Sequence, residues 1–319
     1  MSYKVLLPQP IRPEGYAYLR ERGYEVIDGL GAGEEDIIAD IADCDAMIVR
    51  TAKITANILE AAPKLKILAR HGAGYDGVDL EAAKRCGVLV TTAGGANAIS
   101  VAELAIFYML HCSRHFKAVM AHCKKDYSYA KMGIRKTELA GKTLGLIGTG
   151  NIGKLVAKKA AWGFDMEVLA YDPFAREIPE YIQPVEDREE IFRCCDYVSL
   201  HVPATEETIH SVSEREFDLM KETAFLINTA RGSIVDETAL IRALEAGKIA
   251  GAALDVLEKE PFDLDNPLLT MENVLVAPHI GGATEEASTR SSVACAEAID
   301  DFFSGRTPKF IVPELRGIL

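Results

Sequence analysis

The stretch KTLGLIGTGNIGKLVAKKAA, residues 142–161, runs from an apolar segment through Gly148-x-Gly150-x-x-Gly153 into a helical pattern. A chain that carries it is held to a strand, a tight turn and a helix packed back on the strand. Gly148 permits the turn, Gly150 lets the backbone approach a pyrophosphate, and Gly153 allows close helix-to-strand packing. The phosphates would then face free amides at the helix N-terminus. A lone glycine pattern of this kind also closes ordinary turns, so its surroundings decide its meaning. Here the next apolar run, MEVLAYDPF, ends on Asp172, 19 residues after Gly153. A carboxylate at that point can accept both ribose hydroxyls of an adenosine and would repel a 2′-phosphate, which favours NAD over NADP. An Asp-Pro turn closing a strand is the plainer account of the same residues.

The rest of the chain repeats the alternation. YKVLL, AMIVR, LKILAR and GVLVTT read as strands in the first hundred residues, separated by the helical segments TANILEAAP and LEAAKRC. A second series follows from KTLGLIG through MEVLAYD, CDYVSLH, AFLINT, AGAALDV and NVLVAPH. Two βα series imply two parallel sheets covered on both faces, hence an α/β chain of two doubly wound domains. Between them SVAELAIFYMLHCSRHF, residues 100–116, reads as a long apolar helix opened by a capping box of Ser100 and Glu103. A loop through KKDYSYAKMGIRKTEL should follow. The acidic stretch GEEDIIADIADCD reads as one solvated helix face.

Composition excludes some classes. With a net charge of −13 and no clustered Lys and Arg, the chain offers nucleic acid no basic face. No run of 18 apolar residues occurs, and the N-terminus has no export pattern, so no membrane partner is expected. The seven cysteines are scattered without a CxxC pair, which predicts no metal site and a reduced, cytoplasmic setting. Adjacent Cys194 and Cys195 read as small buried thiols.

The later strand ends bring three kinds of group together: Arg231 in NTARGSIVD, the Asp255 to Glu260 stretch in ALDVLEKEP, and His279 after NVLVAP. Open α/β sheets bind ligands at such ends. An arginine fork can hold a 2-oxo acid by its carboxylate, a histidine can protonate the oxo oxygen as hydride arrives, and a carboxylate can orient the histidine and keep it charged. Taken singly, a strand-end histidine is more often structural and Glu260 before a proline could be loop surface.

The stretches HGAGYDGVDLEAAKRCGVLV, ANAISVAELAI, GKTLGLIGTGNIG, NTARGSIVDETAL, AGAALDVLEKEP and APHIGGATEEA closely resemble the D-isomer-specific 2-hydroxyacid dehydrogenases over nearly the whole chain. That resemblance implies Arg231 as substrate arginine, His279 as acid/base and Glu260 as its partner. It implies substrate contacts from backbone amides of Gly72, Ala73 and Gly74, with Asn97 at a hinge; Asn97 also suits a cap on the long helix. For the cofactor it implies Asn151 and Ile152 at the pyrophosphate, and Val202, Pro203 and Thr208 on the adenosine side. Thr229, Ala230, Asp255, Gly281 and Gly282 would surround the nicotinamide. The implied architecture is a flavodoxin-like substrate domain of residues 1–98 and 287–319 and a Rossmann NAD domain of residues 99–286, with the active-site cleft between them. A homodimer built on the long helix and the loop after it is implied too.

Within the family, MIVRTAKIT, ARHGAGYDGVDLEAAKRCGVLV and KTELAGKTLG are most similar to phosphoglycerate dehydrogenases, which places Arg50 and Arg70 where that subgroup binds a substrate phosphate. As plain strand-end arginines they would pair with local carboxylates. Three departures keep other acids open. The chain stops near Leu319 without a serine-sensing domain, the hinge reads TTAGGAN in place of Asn-Thr-Pro before glycine, and His71 stands where a small residue is usual. Hydroxypyruvate, glyoxylate or a branched 2-oxo acid are the alternatives. Formate is disfavoured because formate dehydrogenases have glutamine where Glu260 stands. A reading of another class is a dinucleotide-sensing corepressor-like scaffold, which shares this fold and triad.

Overall fold

Strand composition decides the layering. The segments Ala46–Val49, Leu89–Thr92, Tyr197–Leu200, Phe225–Asn228 and Gly251–Leu254 are buried at every position, as strands of a parallel sheet covered on both faces must be. The computed structural model describes residues 2–317 and contains two such sheets, all parallel. Met1 and residues 318–319, which the expected first domain included, lie outside the described residues.

The first sheet contains β1 (Lys4–Leu7), β2 (Glu25–Asp28), β3 (Ala46–Val49), β4 (Ile67–Arg70) and β5 (Leu89–Thr92) in the order β2-β1-β3-β4-β5. That is the flavodoxin-like order. Its helices are α1 (Pro13–Glu21), α2 (Glu34–Ile41), α3 (Ala56–Glu60) and α4 (Leu80–Cys86), joined by the C-terminal α11 (Glu285–Phe303). α11 returns because it has an apolar face to cover: Cys295, Ala296 and Ile299 join Leu19 of α1 and Val5, Ile48 and Ala69 of the strands in one core. The acidic α2 is half of what its composition suggests, since Ile37 and Ile41 are buried beneath the carboxylates. β2 gives no signal in the sequence: it is an edge strand with both end residues exposed.

The second sheet runs β12-β11-β10-β9-β6-β7-β8. Its strands are β6 (Thr143–Ile147), β7 (Glu167–Tyr171), β8 (Gln183–Pro184), β9 (Tyr197–Leu200), β10 (Phe225–Asn228), β11 (Gly251–Leu254) and β12 (Val274–Val276). The order reverses between β6 and β9, the switch point at which doubly wound sheets bind nucleotides. Helices α5 (Ala98–Ser113), α6 (Phe116–Cys123), α7 (Asn151–Phe164), α8 (Arg188–Cys194), α9 (Glu214–Leu219) and α10 (Glu237–Glu245) belong to this unit.

Contacts divide the chain between Asn97 and Ala98 and between Gly281 and Gly282. The expected divisions, after 98 and after 286, fall one and five residues later. The long helix differs from expectation in both its ends. α5 begins at Ala98, so Ser100 lies inside it and is buried, and no capping box forms there; Asn97 is the residue that precedes the first turn. The helix breaks at His115, whose φ is 45°, and α6 and a π-helical turn at Tyr129–Gly133 occupy part of the expected loop. All seven cysteines are free thiols, and Cys195 is buried as expected while Cys194 is exposed. Among the described residues no helix is long and apolar enough to cross a membrane, and no cluster of ligating side chains could hold a metal.

Candidate active site

The glycine turn behaves as its spacing requires. Gly148 has a φ of 97°, and a Cβ there would stand 2.7 Å from the His201 carbonyl oxygen. A Cβ on Gly153 would stand 2.3 Å from the carbonyl oxygen of Gly148, so α7 can lie against β6 only with glycine at that point. Gly150 is different: its Cβ would meet nothing within 4 Å. It caps α7 without a side-chain bond, leaving the first-turn amides of Asn151 and Ile152 facing an unobstructed approach. That open cradle at a helix N-terminus fits a pyrophosphate, and two further atoms fit a polar ligand beside it. Thr229 Oγ1 and His201 Nδ1 are buried without partners among the described residues, at the ends of the neighbouring strands β10 and β9. Burial pushes the His201 imidazole down to about 4, so it is neutral near pH 7, and its Nε2 is bonded to Ser199 Oγ at 2.9 Å.

Asp172 closes β7. Its Oδ2 accepts from the amide and the hydroxyl of Thr149 at 2.7 and 2.8 Å, and its Oδ1 from the Phe174 amide at 2.9 Å. Burial opposes its charge, but these bonds outweigh it and hold the carboxyl below its ordinary value. The Thr149 bonds tie the carboxylate to the turn that carries the glycines. Thr208 ties its own loop: its hydroxyl donates to the Pro203 carbonyl at 2.6 Å and accepts from the Thr205 amide at 2.7 Å. Val202 is half-buried and Pro203 exposed on that loop.

The turn after β10 presents Arg231. Asn228 organises it, accepting from the Ala230 amide at 3.0 Å and donating to the Arg231 carbonyl at 2.9 Å. The guanidinium donates to the Ala230 carbonyl at 2.7 Å, so both polar groups of Ala230 are engaged within the turn. Gly232 lets the turn sit on the next strand's loop, since its Cβ would lie 2.0 Å from the carbonyl of Leu257.

Beyond β11, Asp255 is 1% exposed and works on backbone: its oxygens accept from the amides of Ile280 and Gly281, both at 2.8 Å, and from the Tyr108 hydroxyl at 3.4 Å. Burial raises its carboxyl above the ordinary value against the pull of those amides. Asp255 thus clamps the turn that carries His279, whose φ is 55° and whose amide donates to the Asp255 carbonyl at 2.8 Å. His279 Nδ1 lies 2.8 Å from Glu260 Oε2. An ionised carboxylate only accepts, so Nδ1 carries hydrogen and Nε2 is the nitrogen left to exchange a proton.

In the first unit, Arg50 and Arg70 follow β3 and end β4, neighbouring parallel strands. The Arg50 guanidinium donates to the Pro10 carbonyl at 3.0 Å and that of Arg70 to the His71 carbonyl. Of the three loop amides, that of Gly72 is taken by the Arg70 carbonyl at 2.9 Å; Ala73 and Gly74 follow it, Ala73 exposed. His71 Nε2 bonds Ser292 Oγ at 2.9 Å and the Ser288 carbonyl at 3.2 Å, and burial with the nearby Arg50 charge pushes it down to about 4. Asn97 stands at the unit's edge with Gly282 against it: a Cβ there would lie 2.8 Å from Asn97 Nδ2, while Asn97 Oδ1 is buried without a partner among the described residues.

Sequence alone does not single out Thr149, Asn228 or Gly232. Thr149 and Gly232 lie inside the glycine and arginine motifs, at positions that read as spacers.

Residues 106–281 match the family described as "D-isomer specific 2-hydroxyacid dehydrogenase, NAD binding domain". The D-3-phosphoglycerate dehydrogenase of Methanocaldococcus jannaschii is 39% identical over 97% of this chain, and this chain spans 59% of that protein's length. The hydroxypyruvate reductase of Thermotoga maritima is 40% identical, covering 93% of this chain and 97% of its own. The cofactor(NAD+)-bound 3-phosphoglycerate dehydrogenase of Entamoeba histolytica superposes with a TM-score of 0.82 at 31% identity, covering 98% and 99% of the two chains. A family match over more than half of the residues, together with relatives matched over nearly the full length, shows that this chain belongs to the D-isomer-specific 2-hydroxyacid dehydrogenases.

Proposed function

We propose that the protein is an NAD-dependent oxidoreductase that interconverts a small D-2-hydroxy acid and its 2-oxo acid. The observation that carries the reading is the Glu260–His279 pair at 2.8 Å, set beyond the carboxyl ends of β11 and β12 in a sheet whose β10 ends on the Arg231 turn. NADH held by the Gly148–Gly153 turn, Asp172, the Val202–Thr208 loop and the residues around Thr229, Asp255, Gly281 and Gly282 would supply the hydride. Arg231 binds the substrate carboxylate and polarises the oxo group with its fork of donors. His279 gives its Nε2 proton to the oxygen as charge develops there, and Glu260 holds the ring by Nδ1 throughout. Ala73 and Gly74 add amides to the carboxylate.

The preferred substrate is 3-phosphoglycerate with its oxo acid, supported by two arginines, Arg50 and Arg70, at the ends of the neighbouring strands β3 and β4. One observation favours an unphosphorylated acid such as hydroxypyruvate or glyoxylate: His71, pushed down to about 4 by burial and the nearby Arg50 charge, is uncharged near pH 7 and follows Arg70 directly. Exposed Phe107, Leu110, Phe116 and Met120 on α5 and α6 support a homodimer over that face. Seven free thiols suit a reducing cytoplasm.

The test is NADH oxidation against 3-phosphohydroxypyruvate, hydroxypyruvate, glyoxylate and 2-oxoisocaproate, with Arg50→Ala and Arg70→Ala alongside. Preference for the phosphorylated acid, lost in the variants, upholds the first choice. Preference for an unphosphorylated acid, untouched by them, selects the second. No turnover on any acid, with an NADH-dependent protein partner, would sink the enzymatic reading.

A further inference from the structure

We propose that Glu258 is a positioning residue for this chemistry, joining the loops that carry the adenosine-side residues, the substrate arginine and the Glu260 carboxylate. The proposal rests on the reading of Glu260 and His279 as the proton-transfer pair. Glu258 lies two residues before Glu260, on the segment that leaves β11. Its Oε1 accepts from the Glu237 amide at 3.0 Å, at the first residue of α10. Glu237 answers in kind, its Oε2 accepting from the Glu258 amide at 3.1 Å and its Oε1 from Asn266 Nδ2 at 2.6 Å. Both ends of the 258–266 loop are thereby fixed to one side chain, with Glu260 between them.

Two more loops meet the same residue. His210, two positions after Thr208, brings its Nε2 to 2.8 Å from Glu258 Oε1. The turn carrying Arg231 rests against the Leu257–Glu258 peptide, where a Cβ on Gly232 would come within 2.5 Å of the Glu258 nitrogen. Stability alone would not select this arrangement. The pair with His210 is largely exposed, where ion pairs contribute little. What the exchange does supply is a fixed origin for two groups that must meet one substrate, and displacement of a reacting group by about 1 Å costs about a hundredfold in rate.

Three variants test it: Glu258→Ala removes the acceptor, Glu258→Gln keeps the oxygen without the charge, and Glu258→Asp keeps the charge but is a methylene shorter. Turnover on the best 2-oxo acid, NADH affinity and the ¹⁵N resonances of the His279 ring are the readouts. Glu258→Ala should lower kcat by about tenfold to a hundredfold while NADH binding changes by less than about twofold, and should move the His279 resonances. Glu258→Gln should restore all of these. Wild-type kcat and unmoved resonances in Glu258→Ala overturn the proposal, as does a Glu258→Gln variant equally impaired. If the alanine variant does not fold, Glu258→Asp decides in the same way. The ring resonances need no turnover, so a protein inactive on every acid would defeat the functional reading and still show whether Glu258 positions the His279 ring.

Discussion

Both sheets are parallel and both gather polar groups at their strand ends, yet they hold those groups differently. In the first unit Arg50 and Arg70 donate to carbonyls of nearby backbone, and His71 is bonded to a hydroxyl and a carbonyl of α11. In the second unit Arg231 likewise donates to a carbonyl, that of Ala230, but the carboxylates hold a neighbouring side chain or the amides of the next turn: Asp172 with Thr149, Asp255 with Ile280 and Gly281, Glu260 with His279. A bond from a side chain to a carbonyl can be exchanged for a ligand oxygen at little cost. A carboxylate buried on two amides cannot be released without leaving a charge unsatisfied. The first pattern suits selection among substrates, and the second suits geometry that must not change during reaction.

The contrast breaks first, if it breaks, on kinetics. His279→Ala should lower kcat by about a hundredfold to ten-thousandfold with NADH affinity nearly kept, and Arg231→Ala should abolish binding of the 2-oxo acid. Arg50→Ala should raise KM for a phosphorylated acid and leave kcat almost unchanged. Steady-state kinetics with NADH titration distinguish these patterns. Equal kcat losses in both units would erase the division of labour.

Two alanine substitutions three residues apart sharpen it further. Gly153→Ala forces a methyl to 2.3 Å from a backbone carbonyl, so α7 must shift, and overpacking of this kind costs about 1–3 kcal/mol or more. Gly150→Ala has open space around it and should unfold at the wild-type temperature. Its methyl nevertheless enters the cradle, so NADH affinity should collapse in a protein that is otherwise intact. Calorimetry with and without NADH checks both; a Gly150→Ala protein that binds NADH normally would remove the cradle from the site.

These residues also show what sequence conveys and what it withholds. The glycines, Asp172, Arg231 and His279 stand out as positions because each follows from a local requirement, a turn, a close approach or the end of a strand, whereas Glu260 is singled out only by the family resemblance. β2 does not stand out, because an edge strand with exposed ends lacks an apolar run. Ser100 misleads because a capping box is a local pattern, while burial of α5 is decided by strands far away in sequence. The roles of Asn228 and Thr149 as organisers, and the exchange between Glu237 and Glu258, depend on which loops the fold makes neighbours. No spacing within one motif reveals them.

Asp172 tests the cofactor side with a moderate effect. Asp172→Ala should weaken NADH and narrow the preference over NADPH, because it removes the charge that repels a 2′-phosphate. It also releases the Thr149 amide and hydroxyl, so Asp172→Asn, which retains an acceptor for them, should lose preference while keeping more of the fold's stability. Cofactor titrations compare the two. An unchanged ratio of NADH to NADPH affinity in both variants would take Asp172 out of cofactor selection.

The smallest effect comes from one half-buried histidine in each unit. His71 and His201 are both pushed down to about 4 by burial, against an ordinary value of 6.5. Between those values the unfolded chain binds protons that the folded chain does not. Stability is therefore complete above about pH 6.5 and falls as the pH drops toward 4, by at most about 1.4 kcal/mol per pH unit for each ring. The single tryptophan, Trp162 on α7, reports the second unit alone, whereas far-ultraviolet dichroism reports both. His201→Gln should flatten the pH dependence of the Trp162 transition in urea. His71→Gln should leave that transition unchanged and flatten what remains in dichroism. If His71→Gln altered the Trp162 transition as strongly as His201→Gln, the units would unfold as one, and a group in the first would influence the stability of the second.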